Sequence, residues 1–520
     1  SKEIVANAIK LRTSNSKVFA IQPKTSKNMI GAGVIHKGKR YITHSQLSHH
    51  DSAIHTLKNN QKIFMLGLLA IVVAAGVAFP LGTIISVMAL LNVMYFLDMM
   101  FNLIMILRSL KTPRELSISE DRIKAIDESK LPIYTILCPL YREAHMIPQF
   151  VKAIGTLDWP KEKLDVMLLL EEDDKPTIEA AQQIDLPDFV RIVVVPDSKP
   201  KTKPKATNYG LAHARGEYVV IFDAEDMPDP LQLKKVYLAF AESPKDVVCM
   251  QAKLNYYNPH QNLLTRIFTA EYSLWFDLIL TGLQTMQAPI PLGGTSNHFK
   301  LHELTNLKGW DSFNVTEDCD LGIRLAKYGY KTAIVDSVTL EEANSDLLNW
   351  INQRSRWIKG YIQSYLVHMR RPLTFFKEDP RNFLSFQLTV GGKILSLFVN
   401  PLMWLITILY FSFRATFGIT IEKFFPAPVL YMAVLSLVFG NFLYLYYYMI
   451  GCAKKGQWGL IKYIFVVPFY WLAMSFAAWK ALIELMYKPH FWAKTVHGLH
   501  MESDKISPDK KTKVESQFIK

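Results

Sequence analysis

The sequence has few cysteines and lacks the glycine-rich signatures of common nucleotide-binding folds. Its four cysteines, Cys138, Cys249, Cys319 and Cys452, are scattered over 520 residues, without the spacing of a metal site or a disulfide framework. This usage favours a reducing compartment. No Gly-x-Gly-x-x-Gly sequence follows the first predicted strand, and no Walker A sequence occurs in the chain. Both absences argue against dinucleotide redox chemistry and ATP hydrolysis.

Charge is almost absent from two parts of the chain. Residues 63–79 are all apolar or glycine, and residues 83–107 carry only Asp98 as a charge. Both lengths suit membrane-crossing helices, joined by a tight Pro-Leu-Gly turn. A second apolar block contains candidate spans at 394–413, 427–450 and 460–486, with tyrosine and tryptophan gathered at their ends. The alternative interpretation is buried core helices of a large soluble protein.

Positive charge exceeds negative charge, giving a formal net charge of +13. Lysine and arginine cluster at the ends of the first two spans, at Lys58, Lys62, Arg108, Lys111 and Arg114. This clustering predicts that those ends face the cytoplasm. A hairpin of two spans returns the chain to its starting side, so the N-terminal segment and the central region share this compartment. The charge favours an anionic lipid surface as partner, and nucleic acid is not expected to bind.

Short β-branched runs in the central region predict strands that alternate with helices. They lie at residues 133–137, 166–170, 191–195 and 218–222. Polar residues follow these runs, including Asp173 and Asp174 after the second and Asp223 after the fourth. This order predicts an open parallel sheet that binds its ligand at the carboxyl ends of the strands.

Asp223, Glu225 and Asp226 stand where the fourth strand ends, so their side chains can converge on one cation. A hard ion such as Mg²⁺ or Mn²⁺ takes one or two carboxylates and completes its shell with phosphate oxygens. The alternative is an acidic turn with a structural role. Upstream, Lys203 and Lys205 offer positive charge to a uracil edge, a ribose or a phosphate.

Thr316-Glu317-Asp318 is a second acidic cluster, and it precedes an apolar helical pattern. One interpretation is helix capping, because acidic side chains favour the first turn of a helix. The other is a general base that deprotonates a sugar hydroxyl, which a carboxylate of raised pKa can perform. The residues alone leave both interpretations open.

Gln353, Arg356 and Trp357 form a Gln-x-x-Arg-Trp element in a predicted helix at residues 347–369. Positions i, i+3 and i+4 share one helical face, so an amide, a cation and an aromatic ring lie together, as a sugar and a diphosphate require. The helix is predicted to be amphipathic, with Arg354, Lys359 and Gln363 on its polar side, and to lie in the membrane interface. A purely lipid-binding helix is the alternative.

Taken in order, these elements resemble the membrane-embedded family-2 glycosyltransferases, the group of cellulose, chitin, hyaluronan and curdlan synthases. The motifs of the resemblance cover about residues 130–365. The resemblance implies a GT-A-type, Rossmann-like α/β catalytic domain fused to a transmembrane helical channel with amphipathic interface helices. It also implies a location in the inner or plasma membrane.

The resemblance implies a role for each motif. Asp173 and Asp174 would bind the donor, where the charge of Lys203 also places that residue, and Asp223 would begin the metal motif, with Glu225 or Asp226 as second ligand. Asp318 would be the catalytic base, beside Glu317 in the acceptor site. Gln353 and Trp357 would hold the acceptor and Arg356 the diphosphate. Residues 491–498 are similar in character to a gating loop, in which Lys494 or Thr495 would contact the diphosphate.

The resulting prediction divides the chain into six regions. They are a basic cytosolic segment (1–60), two transmembrane helices (61–110), the GT-A domain (111–365), an interface helix region (366–393), C-terminal transmembrane helices (394–488), and a gating-loop-like segment with a polar tail (489–520). A gating loop must be cytosolic, so an even number of crossings must precede it. Of the three C-terminal candidates, residues 460–486, interrupted by Pro468, best fit a split or re-entrant segment.

The expected activity is processive, inverting synthesis of a β-linked exopolysaccharide from UDP-glucose or another UDP-hexose, with translocation of the product across the membrane. The expected partners are the nucleotide sugar, the growing glycan and membrane lipid; accessory export subunits stay open. Two alternatives remain: a non-processive enzyme acting on a lipid carrier, and a non-enzymatic receptor or secretion protein on a degenerate transferase scaffold.

Overall fold

The computed structural model describes residues 50–492, residues 47–48, and three short strands that precede them. The predicted donor contact Thr495 and its neighbour Lys494 lie outside the described residues, as does most of the segment 1–60. The strands are β1 Val18–Ala20, β2 Gly33–His36, β3 Lys39–Ile42, β4 Tyr134–Leu140, β5 Leu164–Glu171, β6 Val190–Val195, β7 Tyr218–Ile221, β8 Met227–Pro228, β9 Val247–Tyr256, β10 Asn297–Lys300 and β11 Lys331–Glu341.

The α-helices alternate with strands in the central region and dominate both flanks. They are α1 Asn59–Ala78, α2 Pro80–Lys111, α3 Glu120–Lys124, α4 Ile147–Gly155, α5 Lys175–Gln183, α6 Lys203–Leu211, α7 Gln232–Glu242, α8 Leu263–Leu274, α9 Leu280–Thr285, α10 Leu301–Asn306, α11 Glu317–Lys327, α12 Leu347–His368, α13 Pro372–Glu378, α14 Pro380–Phe386, α15 Lys393–Ser412, α16 Arg414–Phe424, α17 Ala427–Leu435, α18 Asn441–Lys454 and α19 Val467–Tyr487. Wide π-turns join α8 to α9, α14 to α15, and α17 to α18.

Within the described residues, nine strands form one sheet in the order β1-β6-β5-β4-β7-β10-β9-β11-β8. In this sheet β1, β6, β5, β4 and β7 are successive neighbours and run parallel, so the carboxyl ends of β4, β5 and β7 meet at one edge, where such sheets bind ligands. The predicted parallel arrangement is confirmed for β4, β5, β6 and β7, whereas the sheet as a whole is mixed, because β10 runs antiparallel to both neighbours. The chain re-enters the sheet at that edge after α8 and α9 and must run the opposite way.

Alternating side chains on each strand pack into two cores. On β4, Ile136 and Cys138 face a core formed with α4 and α7, whereas Leu137 faces the opposite side, as the two-residue period of a strand requires. The core on the Leu137 side continues through Phe268 of α8 to Met105 of α2. The sheet and the apolar helices therefore share one continuous core.

Five helices in the described part of the chain are long and apolar enough to cross a membrane: Asn59–Ala78, Pro80–Lys111, Pro380–Ser412, Ala427–Lys454 and Trp458–Tyr487. Their outward-facing side chains are largely apolar, and the first helix has no buried residue. Exposed apolar surface on this scale fits a lipid environment.

A buried charge cluster joins the sheet to the apolar helices. The ammonium of Lys253, on β9, forms ion pairs with Glu115, with Asp277 at 3.0 Å and with Asp336 at 2.9 Å. Asp277 also meets Lys455, at the end of α18, at 3.4 Å. Burial opposes the charge of Lys253, but the three carboxylates outweigh it and raise its pKa.

Lys253→Met is expected to destabilise the protein strongly, because it removes the buried ammonium that three carboxylates share. Breaking a buried pair from one side costs about 3–5 kcal/mol. The matched control is Lys331→Met, which removes an exposed ion pair with Asp246 and should cost about 1 kcal/mol or less. Thermal unfolding of the purified proteins measures both, and equal shifts in midpoint would contradict the assigned role.

Candidate active site

A cavity of about 390 Å³ opens at the carboxyl edge of the sheet and continues between the apolar helices. Most of the residues singled out from the sequence line it: Lys203, Asp223, Glu225, Glu317, Asp318, Gln353, Arg356 and Trp357. Asp173, Asp174 and Asp226 are not among its lining residues. The fold thus gathers motifs separated by up to about 150 positions into a single cavity.

Lys203 begins α6 and points across the cavity to the end of β7. Its ammonium lies 2.5 Å from Asp223 Oδ1 and donates to the carbonyl of Gly294 at 2.7 Å. Burial disfavours the charge of Lys203, but the carboxylates of Asp223 and Glu317 outweigh it and raise its pKa. A fixed cation therefore stands beside the first acidic cluster.

The three acids of the first cluster point in different directions. Asp226 is buried and accepts hydrogen bonds from the backbone amide of Asp223 at 2.7 Å and from the hydroxyl of Thr295. Asp223 and Glu225 instead face the cavity. Burial, followed by repulsion from Asp223, raises the pKa of Glu225 to about 8. The turn is thus built on Asp226 and presents the other two carboxylates to a ligand.

Asp223 and Glu225 fit a hard divalent cation only when a bound ligand supplies further oxygen atoms. No group of three or more histidine, cysteine, aspartate or glutamate side chains within the described residues is arranged to hold a metal. Asp223 and Glu225 are carboxylates on one wall, and Mg²⁺ or Mn²⁺ commonly takes one or two carboxylates together with substrate phosphates. A cation would therefore be shared between these acids and a bound diphosphate.

Asp173 and Asp174 follow β5, and the two side chains have different surroundings. Asp174 is buried and accepts a hydrogen bond from the backbone amide of Arg142, whose φ is +56°. Asp173 is about one-third exposed and forms an ion pair with Lys201. Burial opposes the negative charge of Asp173, but hydrogen bonding and attraction to Lys201 lower its pKa. Only Asp173 offers a solvent-facing carboxylate; Asp174 holds the loop after β4.

Glu317 and Asp318 begin α11, and their carboxylates differ in burial. Glu317 is 3 % exposed; burial and then repulsion from Asp318 raise its pKa to about 8. Asp318 is half-buried and accepts a hydrogen bond from the amide of Cys319 at 2.8 Å. Burial raises its pKa to only about 6. At neutral pH Glu317 is therefore mostly a neutral acid, and Asp318 is mostly a carboxylate.

α12 brings Gln353, Arg356 and Trp357 to these acids through a very close helix contact. A Cβ added to Gly360 would lie 2.3 Å from Thr316 Oγ1 and 2.6 Å from its backbone nitrogen. Only glycine allows this approach, which sets the Gln353–Trp357 turn beside Glu317. Gln353 Oε1 is buried with no hydrogen-bond partner in the described part of the chain, and Gln353 lines the cavity.

Arg354 is a site residue that sequence reasoning misplaced. The prediction that Arg354, Lys359 and Gln363 form a polar face at the membrane surface is wrong, since all three are buried. Lys359 donates to Glu484 at 3.1 Å, and Gln363 donates to the carbonyl of Pro489 at 2.9 Å. α12 is packed on several sides, so its polar residues find partners from distant parts of the sequence.

Arg354 holds the aromatic wall of the cavity. Its guanidinium forms an ion pair with Glu271 and donates to Tyr470 at 2.7 Å. The same group lies 4.4 Å from the ring centre of Phe268 and 4.7 Å from that of Trp357, within cation–π range. The spacing Trp350, Arg354, Trp357 places these residues on one helical face, a signal that could have predicted the stack.

The last described residues pack against the cavity. Trp492 lines it, and the guanidinium of Arg356 lies 4.5 Å from its ring centre. Lys359 donates to the carbonyl of Phe491 at 2.8 Å, and His490 Nδ1 lies 2.9 Å from the carbonyl oxygen of Phe313. The beginning of the predicted gating-loop-like segment therefore lies against Arg356 at the cavity.

Comparison with known proteins finds a glycosyltransferase family model and several relatives that are similar to this chain. The profile of Glycosyl transferase family group 2 matches residues 218–453. The probable glycosyltransferase YdaM of Bacillus subtilis is 24 % identical over 322 residues, which cover 56 % of this chain and 76 % of that protein. Glucomannan 4-beta-mannosyltransferase 1 of Oryza sativa subsp. japonica is 25 % identical over 241 residues, which cover 45 % of this chain and 46 % of that protein.

Other relatives are named as glucomannan 4-beta-mannosyltransferases, and the chain spans about half the length of these plant relatives. Among solved structures, the mannosyltransferase PcManGT from Pyrobaculum calidifontis, in complex with GDP-Man and Mn²⁺, is 18 % identical with a TM-score of 0.49. That match covers 78 % of this chain and 99 % of PcManGT.

Gly360→Ala tests the close approach of α11 and α12. The added methyl group overpacks the contact with Thr316 and is expected to destabilise the protein by about 1–3 kcal/mol. Gly155→Ala, in α4, is the matched control, because nothing lies within 4 Å of its added Cβ and alanine favours a helix by up to about 1 kcal/mol. Thermal unfolding should show shifts of opposite sign; a neutral Gly360→Ala variant would refute the contact.

Proposed function

Because this chain is a family-2 glycosyltransferase, we propose that it polymerises a β-linked polysaccharide and passes the product into the membrane. The observation that carries this proposal is the single cavity, which runs from Asp223 and Asp318 past Trp357 to Asp98 and Asn400 within the apolar helices. A transferase for a small soluble acceptor needs no such extension.

The difference between Glu317 and Asp318 supports a division of labour. Two neighbouring acids whose environments separate their pKa values can take opposite protonation states. Asp318, with a pKa of about 6, is ionised near neutral pH and takes the proton from the acceptor hydroxyl as its oxygen attacks the anomeric carbon. Glu317, with a pKa of about 8, stays protonated and donates a hydrogen bond to the acceptor. A single displacement inverts the anomeric centre.

The leaving diphosphate would be bound by fixed cations. Lys203 and Arg356 both line the cavity, and Arg356 lies within electrostatic reach of Glu317, Asp223 and Asp318. Cations fixed in a partly dry site stabilise developing charge without reorganisation. A divalent cation held by Asp223 and Glu225 would neutralise the diphosphate when bound.

The acceptor would rest on Trp357. An aromatic face binds a sugar ring through apolar contact that tolerates sliding, and Arg354 fixes the plane of this ring from behind. The unpaired Oε1 of Gln353 is available to accept a hydrogen bond from an acceptor hydroxyl. These features support repeated addition at one site.

The fifth apolar helix, Trp458–Tyr487, supports a topology of four crossings. Before its start, Gln457 Oε1 accepts a hydrogen bond from Ser273 of α8 at 2.7 Å. Beyond its end, His490 Nδ1 lies 2.9 Å from the carbonyl oxygen of Phe313. Both ends therefore meet the same domain, so we infer that this helix is re-entrant, between a cytosolic catalytic domain and the lipid.

The donor is a nucleotide sugar, and two sugars lead the candidates. The sequence favoured UDP-glucose or another UDP-hexose, whereas the names of the plant relatives add a mannosyl donor. Both lead to a β-linked hexose polymer, and membrane lipid and the growing glycan are the remaining expected partners.

The base assignment makes a pH prediction. Asp318 must be ionised to accept a proton, so kcat/KM should be high above pH 6 and fall as the pH drops through about 6, the pKa of this carboxyl. Asp318→Asn should lose at least about 100-fold in turnover and the acidic limb of the profile. Asp121→Asn, an exposed acid on α3, is the control. Wild-type turnover by Asp318→Asn would refute the assignment.

The polymerase proposal is tested with purified protein, a panel of UDP- and GDP-sugars, and size and linkage analysis of the product. We expect long β-linked chains from one hexose donor and loss of turnover in excess EDTA that Mg²⁺ or Mn²⁺ restores. Transfer of one sugar to a lipid carrier would favour the non-processive alternative. No nucleoside diphosphate release from any donor would exclude an enzyme of this kind.

A further inference from the structure

A short segment before the first apolar helix lies buried against the catalytic domain. Residues 51–55 are here called the N-terminal strap, and Ser52, Ala53 and Ile54 within it are 5 %, 0 % and 4 % exposed. Burial removes water from the hydroxyl and backbone groups of these residues, so they need hydrogen-bond partners inside the protein. The partners of the strap therefore show what it holds in place.

Asp311, in the turn at residues 311–313, provides two of these partners. Its Oδ1 accepts a hydrogen bond from the hydroxyl of Ser52 at 2.9 Å, and its Oδ2 accepts one from the backbone amide of Ala53 at 2.5 Å. Oδ1 also accepts from the amide of Phe313 at 3.1 Å. Asp311 is itself 2 % exposed, and a buried carboxylate needs such donors. The strap and the turn therefore depend on each other.

Arg370, just after α12, holds the strap from its other side. Its guanidinium donates to the carbonyl of His50 at 2.8 Å and to that of Ser52 at 3.0 Å, and it also donates to the carbonyl of His55. Three backbone carbonyls thus converge on one cation, which fixes the path of the strap across the end of α12.

The turn at residues 311–313 leads directly to the catalytic acids. Every residue from 311 to 317 is buried. The amide group of Asn314 donates to Ser364 Oγ on α12 at 2.9 Å, and the backbone amide of Thr316 donates to Asn314 Oδ1 at 3.0 Å. This connection is short and fully packed, so a displacement of the turn would be passed on to Asp318 in the first turn of α11.

The last described part of the chain meets the same turn. His490 Nδ1 lies 2.9 Å from the carbonyl oxygen of Phe313, and the two rings are 5.4 Å apart at their centres. The strap residue Ile54 belongs to the same buried cluster as Phe313. Phe313 therefore lies between the strap and the segment that ends at the cavity.

The size of the contact indicates what it does. Its apolar part is a small cluster of four buried residues, Ala53, Ile54, Phe313 and Val367, so it adds little to the two large cores of the domain. The transfer reaction is far more sensitive to position, because misplacement of a reacting group by about 1 Å lowers a rate about 100-fold. Loss of the strap contact should therefore affect the rate more than the stability.

We propose that Ser52 and Asp311 are positioning residues for the transfer reaction. The strap holds the turn at residues 311–313, and the turn holds the carboxylate of Asp318 at the distance from the acceptor hydroxyl that proton transfer requires. Both residues act through the turn and not through contact with the substrate. The proposal rests on the base assignment of Asp318 under the proposed function.

The first test separates kcat from KM in the full chain. Ser52→Ala removes the hydroxyl donor, and Asp311→Asn keeps the size of the side chain but loses the charge. Each should lower kcat about tenfold, less than a full misplacement would, and leave the KM for the nucleotide sugar unchanged. Ser48→Ala is the matched control, because this exposed hydroxyl contacts only Asp51 within the same segment, and it should keep wild-type kcat. Wild-type kcat in both test variants, or a changed KM alone, would overturn the proposal.

The second test uses hydrogen exchange, measured by mass spectrometry on the purified full chain without substrate. In Ser52→Ala, peptides covering residues 311–318 should exchange about fivefold faster than in wild type, because a lost hydrogen bond raises the population of the open turn. Peptides covering residues 218–226 should keep their wild-type rates, and Ser48→Ala should change neither region.

Unchanged exchange at residues 311–318 in Ser52→Ala, or equal acceleration at residues 218–226, would rule out a specific hold on the turn. The exchange readout needs no turnover. A failed strap contact is therefore distinguished from a failed transferase assignment, which the panel of sugar nucleotides tests.

Discussion

The arrangement of the whole site depends on the contact between Gly360 and Thr316. Two helices that carry the acidic and the aromatic halves of the site approach here more closely than any side chain larger than hydrogen would allow. On its other side α12 packs against small residues of α19, with Ile358 among Ala477, Ala478 and Ala481. α12 therefore fixes the acidic residues and α19 relative to each other. A shift of α12 would move Arg356 and Trp357 together, and misplacement of about 1 Å is enough to lower a transfer rate about 100-fold.

Electrostatics explains how so many acids can share this space. Burial raises the pKa of Glu225 and Glu317 to about 8, so part of the negative charge is removed by protonation. Lys203 offsets much of the rest. Burial raises the pKa of Asp318 less, to about 6, because this carboxylate accepts a hydrogen bond from the backbone amide of Cys319. Neighbouring acids thus take different protonation states from their surroundings in the cavity, which no motif contains.

The features of the fold that the sequence predicted correctly are those that short stretches of sequence determine. The strands β4 to β7 follow from β-branched runs, and the acids at their ends follow from the direction of parallel strands. Partners that come from far along the chain could not be predicted. Arg354 pairs with Glu271, Lys359 with Glu484, and β10 enters the sheet against the direction of β7. Asp226 faces inward only because Thr295, from the distant segment before β10, supplies its hydroxyl. Asp98 stood out in the sequence as the one charge in residues 83–107, yet its hydrogen-bond partner, the hydroxyl of Tyr444, comes from α18.

The fifth apolar helix forms one wall of the cavity, because Tyr470 of α19 packs against Trp350 at 4.8 Å between ring centres. Polar residues of three other helices also line the cavity: Asp98 from α2, Asn400 from α15 and Tyr444 from α18. Tyr95 and Asn400 also line a second cavity of about 30 Å³, next to Asn92. Since polar groups in lipid must face protein or water, the proposed export path would run between α2, α15 and α18, and the narrow place at Tyr95 and Asn400 would have to widen for a sugar to pass.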